Sequence, residues 1–160
     1  MTNSTHQTSL FEVTGKTVTV WADESCQNVK YPDAIAGYGC LIKDGDSGEL
    51  EEIQGQVEYD GRTTPLIAEY KAIINGIESV CKEYSSVGVL HIYSDGESTV
   101  EQIGGDYNIV SPALLKLKNK AHRLLSEFDE WHIDWQSKTE SREIRRANAL
   151  AEDTIKGDDQ

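Results

Sequence analysis

Residues 87–95 read VGVLHIYSD, a nearly continuous apolar run that ends in an acid and is flanked by turn signals. A run of this length predicts a central strand covered on both faces, as in a parallel sheet. We therefore expect a sheet built around residues 87–95.

Three β-rich runs precede this strand, at residues 17–23, 36–43 and 51–58, with turn-forming residues between them. Their alternating pattern and short connections predict an antiparallel meander. Residues 131–135 predict a fifth strand near the end of the chain.

Helical patterns fill the remaining segments. Thr64 and Pro65 form a helix start, a hydroxyl cap followed by proline, and predict a helix to about Glu83. Further helices are predicted over 97–103 and 112–128, and from Ser141 or Arg142 onward. The order βββαβααβα predicts an α/β fold in which helices flank a mixed five-stranded sheet. One domain over 15–157, with tails at 1–14 and 158–160, accounts for all 160 residues.

The composition narrows the function classes. The formal net charge of −13 should repel polyanions and anionic membranes unless positive charges cluster on one part of the surface. No apolar run is long enough to span a bilayer and no secretion signal is evident, so we expect a cytoplasmic protein with no membrane partner. We also expect a monomer. The three cysteines lack CxxC spacing and are expected to be free thiols.

Three acids stand at positions that the predicted fold can bring together. Asp23 ends the first strand, Asp95 ends the buried strand, and Glu69 lies in the first helix beside the apolar arc. On the last helix, Glu152 borders the buried stripe whereas Asp153 faces solvent. Each acid also has a purely structural explanation, because acids favour turns and helix N-termini.

Carboxylates that meet at a sheet edge must take up protons or share cations. All-oxygen ligand sets suit Mg²⁺ or Mn²⁺, and two such ions can clamp the attacking and leaving oxygens of a phosphodiester. No metal-spaced Cys/His cluster, glycine-rich phosphate loop or serine elbow offers a competing chemistry.

The chain resembles ribonuclease HI over about residues 17–156. The resemblance rests on the order of ADES, AGYGCLI, TTPLIAEYKAI, VGVLHIYSDGESTVEQI and RRANALAED. It implies a ribonuclease H-like fold and an endonuclease that uses two Mg²⁺ ions, or Mn²⁺, to hydrolyse the RNA strand of an RNA/DNA hybrid. By motif, the catalytic and metal-binding acids would be Asp23, Glu69, Asp95 and Glu152.

The resemblance also implies substrate contacts. Ser25 and Cys26 would approach the 2′-hydroxyl that distinguishes RNA from DNA, and Thr64 would contact a phosphate. The family's basic protrusion is missing, but Lys116, Lys120 and Arg123 line one helix face and predict a phosphate-binding stripe. An ordinary solvated helix face is the alternative for that stripe.

The sequence departs from the family at several positions. Glu24 replaces a usual glycine, Gly96 replaces a typical serine, and Glu152 replaces an aspartate. The loop before the last helix lacks the histidine of many members, and Glu140 or Glu143 could substitute for it. Two other hypotheses therefore stay open. One is a non-catalytic nucleic-acid- or protein-binding module, and the other is a nuclease acting on another substrate such as double-stranded RNA.

Overall fold

The computed structural model describes residues 5–7, 14–27, 34–105 and 108–156, which contain six strands and four helices. The strands are β1 Thr5–Gln7, β2 Lys16–Gln27, β3 Ile35–Asp44, β4 Leu50–Gln56, β5 Val87–Ser94 and β6 Glu130–Trp135. The helices are α1 Pro65–Glu83, α2 Glu97–Gly104, α3 Pro112–Leu125 and α4 Arg142–Lys156. The five predicted strands and four predicted helices are therefore confirmed in their order.

The sheet has the strand order β1-β6-β5-β2-β3-β4. β2, β3 and β4 form the predicted antiparallel meander, whereas β5 pairs in parallel with β2 on one side and β6 on the other. The residue 87–95 segment is thus the central parallel strand that its apolar run predicts.

The predicted number of strands is wrong by one. Thr5–Gln7 lie in the segment predicted as a flexible tail, yet they pair antiparallel with β6 at the edge of the sheet. A three-residue polar strand has no periodicity to reveal it, because its pairing depends on an edge supplied by β6. The domain bounds 15–157 stay a prediction, and residues 158–160 lie outside the described part of the chain.

The prediction that β5 is covered on both faces is also wrong. Its residues alternate between buried and half-buried, with His91 and Tyr93 on the more open face. The reason is that α1 packs on one face of the sheet, whereas α4 packs mainly on β2, β3 and β4 of the other. On the open face the His91 ring stacks on Tyr93 at 4.4 Å, and its Nε2 lies 2.8 Å from Asp134 Oδ2.

Local signals explain where the helices begin. Thr64 Oγ1 accepts a hydrogen bond from the Ile67 N–H at 3.2 Å, and Pro65 follows as the first helical residue. Ser141 Oγ accepts from the Ile144 N–H at the start of α4 in the same way. None of the described helices combines the length and apolarity needed to cross a membrane.

Two glycines of β3 let α4 lie directly on the sheet. A Cβ at Gly37 would overlap the Ala151 carbonyl oxygen, and a Cβ at Gly39 would overlap the Ala147 carbonyl oxygen and lie 2.7 Å from Leu150 Cβ. Both obstacles include helix backbone, which cannot rotate away. Any side chain at these positions would push α4 off the sheet.

We expect Gly39→Ala to lower the free energy of unfolding by about 1–3 kcal/mol, because overpacking shifts α4. Urea denaturation measures the loss. Gly61→Ala is the matched control, since a Cβ there meets only the ring of Tyr59, which can move. Equal stability of the two variants would contradict the role of the close contact.

Candidate functional site

Asp23 is the most buried acid of the candidate site, with only 4% of its surface exposed. The parallel pairing of β2 with β5 ends at Ala22 and Ser94, whereas β2 itself continues to Gln27 on β3. Asp23 therefore marks the end of the parallel pairing and not, as predicted, the end of the strand. Its Oδ1 accepts a hydrogen bond from the Glu24 N–H at 2.9 Å.

The other carboxylate oxygen of Asp23, Oδ2, is buried without a hydrogen-bond partner in the described residues. The Lys138 ammonium lies 3.7 Å from it. Burial raises the Asp23 pKa from 3.8 to about 6, and nearby Asp95 adds to the rise, while the Glu24 N–H, Lys138 and the side chain of Asn148 oppose it. This oxygen faces a site that is short of positive charge.

Glu69 reaches the site from the second turn of α1. Its Oε1 accepts a hydrogen bond from the Thr99 hydroxyl at 2.7 Å, which fixes the carboxylate against α2. Burial and the charge of Asp95 raise its pKa. Gly96 leaves room for this carboxylate, because a Cβ there would overlap Oε1 and lie 2.8 Å from Cδ. The departure at Gly96 therefore fits the placement of Glu69.

Asp95 follows the last residue of β5 and faces the loop between β6 and α4. Its Oδ1 accepts from the Lys138 N–H at 3.3 Å, and its carbonyl oxygen accepts from Trp135 Nε1 at 3.2 Å. Arg145 holds the same loop by donating to the carbonyl oxygens of Lys138 and Thr139. Lys138 thus contacts Asp95 through its backbone and Asp23 through its side chain.

Glu24 also belongs to this group of acids. It is half-buried, and burial together with the charges of Asp23, Glu69 and Asp95 raises its pKa from 4.5 to about 8. The Lys138 ammonium opposes part of that rise. The sequence left open whether Glu24 turns outward, and its electrostatic neighbours show that it does not.

Glu152 is not brought into the buried group. Its side chain is exposed on α4, so its role as the fourth acid stays a prediction. Asn148, one turn earlier on the same side of the helix, donates from Nδ2 to the Glu24 carbonyl oxygen at 3.1 Å. Asp153 instead lies close enough to Arg146 to help raise the pKa of that guanidinium, whose main partner is Glu52. Asn148 therefore favours Glu152 over Asp153.

The carboxylates are the type of ligand that divalent cations prefer, but their side chains are not spaced closely enough to hold one in this structure. In the described ranges no three acid, imidazole or thiol side chains already lie close enough to hold a metal ion. The buried Oδ2 of Asp23 nevertheless lacks a donor, and carboxylate oxygens are the ligands that Mg²⁺ and Mn²⁺ prefer. The predicted role of Asp23, Glu69, Asp95 and Glu152 as metal ligands therefore stays a prediction.

The predicted substrate residues occupy three regions, on β2, at the start of α1 and on α3. Ser25 and Cys26 lie half-buried on β2 just past Asp23, and burial with the charges of Glu24 and Glu69 raises the Cys26 pKa to about 12. Burial and the neighbouring charges therefore favour the protonated thiol. Thr64 caps α1, and its role as a phosphate contact stays a prediction.

The three predicted basic residues line one groove beside α3. Lys116, Lys120 and Arg123 share this groove of about 240 Å³ with Lys71 of α1. Lys120 Nζ also lies 3.4 Å from Glu78 Oε2, so part of its charge is already paired. The groove gathers four cations, and Glu58 and Asp60 also line it, so its net charge is positive but small.

Two lysines near the predicted functional residues were not predicted from the sequence: Lys138 beside Asp23 and Lys71 in the basic groove. Lys138 lies in the loop before α4, near Glu140 and Glu143, which the sequence offers as possible substitutes for a histidine, yet the side chain that reaches Asp23 is the lysine. Lys71 follows Glu69 by two residues and faces the basic groove. A lone lysine in a polar loop carries no periodic signal, so only tertiary placement could single out either one.

Comparison with known proteins places the chain in a family. The model of the reverse transcriptase-like family matches residues 27–154. The chain belongs to this family. Solved ribonuclease H1 structures share its fold, so the resemblance to ribonuclease HI and the predicted α/β fold are confirmed.

Three relatives illustrate the family. A bifunctional protein of Mycobacterium tuberculosis is 32% identical over 101 residues, 62% of this chain and 26% of the relative. Its N-terminal RNase H domain, solved as a fusion with maltose-binding protein, has a TM-score of 0.72 at 27% identity, covering 89% of this chain and 95% of that one. The chain therefore spans about a quarter of the length of this curated relative.

Ribonuclease HI of Halobacterium salinarum is 27% identical over 120 residues, 75% of this chain and 56% of the relative. The structure of RNase H1 from that archaeon has a TM-score of 0.75 at 24% identity, covering 88% and 98% of the two chains. LC11-RNase H1, solved with an RNA/DNA hybrid, has a TM-score of 0.72 at 22% identity, covering 88% and 97%.

The raised pKa values of Asp23 and Glu24 predict an unusual pH dependence for the metal-free protein. The folded chain holds protons up to about pH 6 and 8 at sites that release them near 3.8 and 4.5 when unfolded. The free energy of unfolding should therefore fall as the pH rises from about 4 to about 8. Urea denaturation in EDTA measures it. Glu24→Gln should flatten the upper part of the curve, whereas Glu127→Gln, an exposed control, should not.

Proposed function

We propose that this chain is a divalent-metal-dependent endoribonuclease that hydrolyses the RNA strand of RNA/DNA hybrids. The observation that carries the proposal is the placement of Asp23 and Glu69 around Asp95 near the end of the β2–β5 pairing, where the charge of Asp95 raises the pKa of both. Membership of the family and the likeness to ribonucleases H support the same activity.

The substrate is proposed from the relatives. One relative carries the name ribonuclease HI, and LC11-RNase H1 was solved with an RNA/DNA hybrid. Ser25 and Cys26, which follow Asp23 on β2, would offer backbone groups to a 2′-hydroxyl beside the acids. A 2′-hydroxyl is the feature that would restrict cleavage to the RNA strand.

Bound divalent ions would supply an activated water and stabilise the leaving 3′-oxygen. Other residues of the chain hold the carboxylates that would bind these ions. Thr99 holds the Glu69 carboxylate, the Glu24 N–H holds Asp23 Oδ1, and the Lys138 N–H holds Asp95 Oδ1. The Lys138 ammonium adds a positive charge beside Asp23, where it can also meet a phosphate oxygen.

The four cations Lys71, Lys116, Lys120 and Arg123, which outnumber the two acids of the same groove, support a second contact with the nucleic acid. We propose that the groove binds the phosphate backbone away from the site of cleavage, since clustered cations attract phosphates even on an acidic protein. The net charge of −13 then leaves binding weak unless divalent ions occupy the acids.

A non-catalytic binding module is a second candidate. It is favoured by the spacing of the acids, because among the described residues no three acid, imidazole or thiol side chains lie close enough to hold a metal ion. The two candidates differ in one measurable property, which is cleavage of a hybrid in the presence of Mg²⁺ or Mn²⁺.

We expect Asp23→Asn to reduce hybrid cleavage at least about a hundredfold, because it removes charge from the central metal ligand. A labelled RNA/DNA hybrid incubated in Mg²⁺ or Mn²⁺ measures the rate, with double-stranded RNA as a parallel substrate. Glu152→Gln should also slow cleavage, whereas Asp153→Asn is the matched control and should not.

Cleavage by Asp23→Asn at the parent rate would contradict the assignment of the site. A folded parent protein that binds the hybrid, cuts it in neither metal and loses no affinity on Asp23→Asn would support the non-catalytic module. Preferential cutting of double-stranded RNA would keep the chemistry and change the substrate.

The basic groove gives a separate prediction. Replacing Lys116 and Arg123 together by alanine should weaken hybrid binding and make the salt dependence shallower by about one unit of slope per lost phosphate contact. Fluorescence anisotropy at several salt concentrations, with Asp23→Asn as the background, measures both. A double variant of Lys43 and Lys156, exposed residues outside the groove, is the control. An unchanged slope would assign these side chains to an ordinary solvated face.

A further inference from the structure

Trp135, the last residue of β6, places an exposed aromatic ring beside Asp95. It pairs in register with Ser94, the last residue of β5, and its Nε1 donates to the Asp95 carbonyl oxygen at 3.2 Å. The edge of the indole that carries Nε1 is therefore fixed to the backbone, yet 46% of the residue stays exposed.

The open part of this ring adds nothing to the packing of the fold. Trp131, on the same face of β6, is only 5% exposed and belongs to the core. Trp135 extends beyond that cover, and apolar surface that stays in water gives no hydrophobic stabilisation. A single exposed apolar residue is nevertheless ordinary in proteins, so the neighbours of Trp135 decide its meaning.

Lys138 is the neighbour that gives the ring a context. Its N–H donates to Asp95 Oδ1 at 3.3 Å, and its ammonium, on a side chain 45% exposed, lies 3.7 Å from Asp23 Oδ2. Trp135 and Lys138 are thus both held to Asp95, the first through the main-chain carbonyl and the second through the carboxylate. An apolar ring and a cation, both open to solvent, therefore flank the same acid.

The segment that carries both side chains is held in place. The Gln136 N–H donates to the Ser94 carbonyl oxygen at 3.0 Å, and Arg145 donates to the carbonyl oxygens of Lys138 and Thr139. A ligand that contacts the ring and the ammonium does not have to order this segment first, which reduces the free-energy cost of binding.

The ring and the ammonium together complement one unit of a nucleic acid. An ammonium attracts a phosphate, and an indole ring packs against the apolar surface of a sugar or a base. In a duplex the faces of the bases are stacked on one another, whereas the sugars border the wide, shallow minor groove of an A-form helix. The sugar is therefore the part of a hybrid that an exposed ring can reach.

We propose that Trp135 is a substrate-positioning residue whose ring packs against a sugar of the RNA/DNA hybrid, beside the phosphate that meets Lys138. The inference rests on the proposed function, which supplies the hybrid. It adds a contact that would lay the cleaved strand across Asp95.

Two other roles fit fewer of the observations. A purely structural Trp135 would explain the hydrogen bond to Asp95 but not the exposed ring. A docking surface for another protein would need a wider apolar patch. Among the described residues, the other large exposed apolar side chains lie on β3, on β4, and on or just before α3: Ile35, Leu50, Leu115 and Val110.

The first test measures whether bound hybrid covers Trp135. The full chain carries Asp23→Asn so that the hybrid stays intact, and its tryptophan fluorescence is quenched with acrylamide in Mg²⁺. Trp135 is the most exposed of the three tryptophans, since Trp131 is buried and Trp21 is half-buried. A saturating RNA/DNA hybrid should remove most of the quenching that is lost in Trp135→Phe and therefore belongs to Trp135.

Substitutions then separate the ring from its hydrogen bond. Trp135→Ala should weaken hybrid binding, measured by fluorescence anisotropy, about fivefold, the effect of leaving roughly 40 Å² of ring surface in water. Trp135→Phe keeps a ring but loses the N–H, so its affinity should lie closer to that of Asp23→Asn alone. Leu50→Ala, at an exposed apolar residue of β4, is the matched control and should not change binding. Circular dichroism confirms folding, and the quenching measurement carries the test if Trp135→Ala does not fold.

The outcomes distinguish this inference from the proposed function. Hybrid that binds without reducing the quenching of Trp135 would overturn the inference and leave the proposed function standing. Equal weakening by Trp135→Ala and Trp135→Phe would do the same, because the N–H would then act through Asp95 without the ring, and so would no weakening by either. No hybrid binding by the folded protein, with or without Asp23→Asn, would overturn both.

Discussion

The close contact between α4 and β3 is the constraint on which the site depends. Because Gly37 and Gly39 carry no side chains, the carbonyl oxygens of Ala151 and Ala147 lie directly over the strand. Gln54 and Gln56 of β4 reinforce the contact by donating to the carbonyl oxygens of Leu150 and Thr154. With α4 seated in this way, Asn148 reaches the backbone of Glu24 beside Asp23.

The carboxylates of the resulting site repel one another, and the packing of the surrounding elements holds them in place. Apolar packing and hydrogen bonds place Asp23, Glu24 and Glu69 near one another although their charges repel, and burial adds to the cost of ionisation. Such unfavourable electrostatics are characteristic of functional sites, where packing elsewhere in the fold offsets them. Lys138 and a protonated Glu24 relieve part of the repulsion in the absence of bound cations.

Most of the fold could be read from periodicity and local signals. Thr64 and Pro65 predict the start of α1 at Pro65, its end at Glu83 agrees with the approximate end predicted, and the apolar run predicts β5. The misses have physical causes. β1 is too short for a pattern, β2 continues past Asp23 because β3 remains available as a partner, and α3 ends at Leu125 in a turn although Phe128 is buried.

The sequence by itself determined the order of elements, the family, and three acids that meet in space, since motif spacing and strand ends are local properties of the chain. Only the tertiary structure decided that Glu24 turns toward the other acids, that Lys138 is the cation beside them, and that Gly96 leaves space for Glu69. These facts depend on distances between segments far apart in sequence. Packing sets such distances, and no local pattern encodes them.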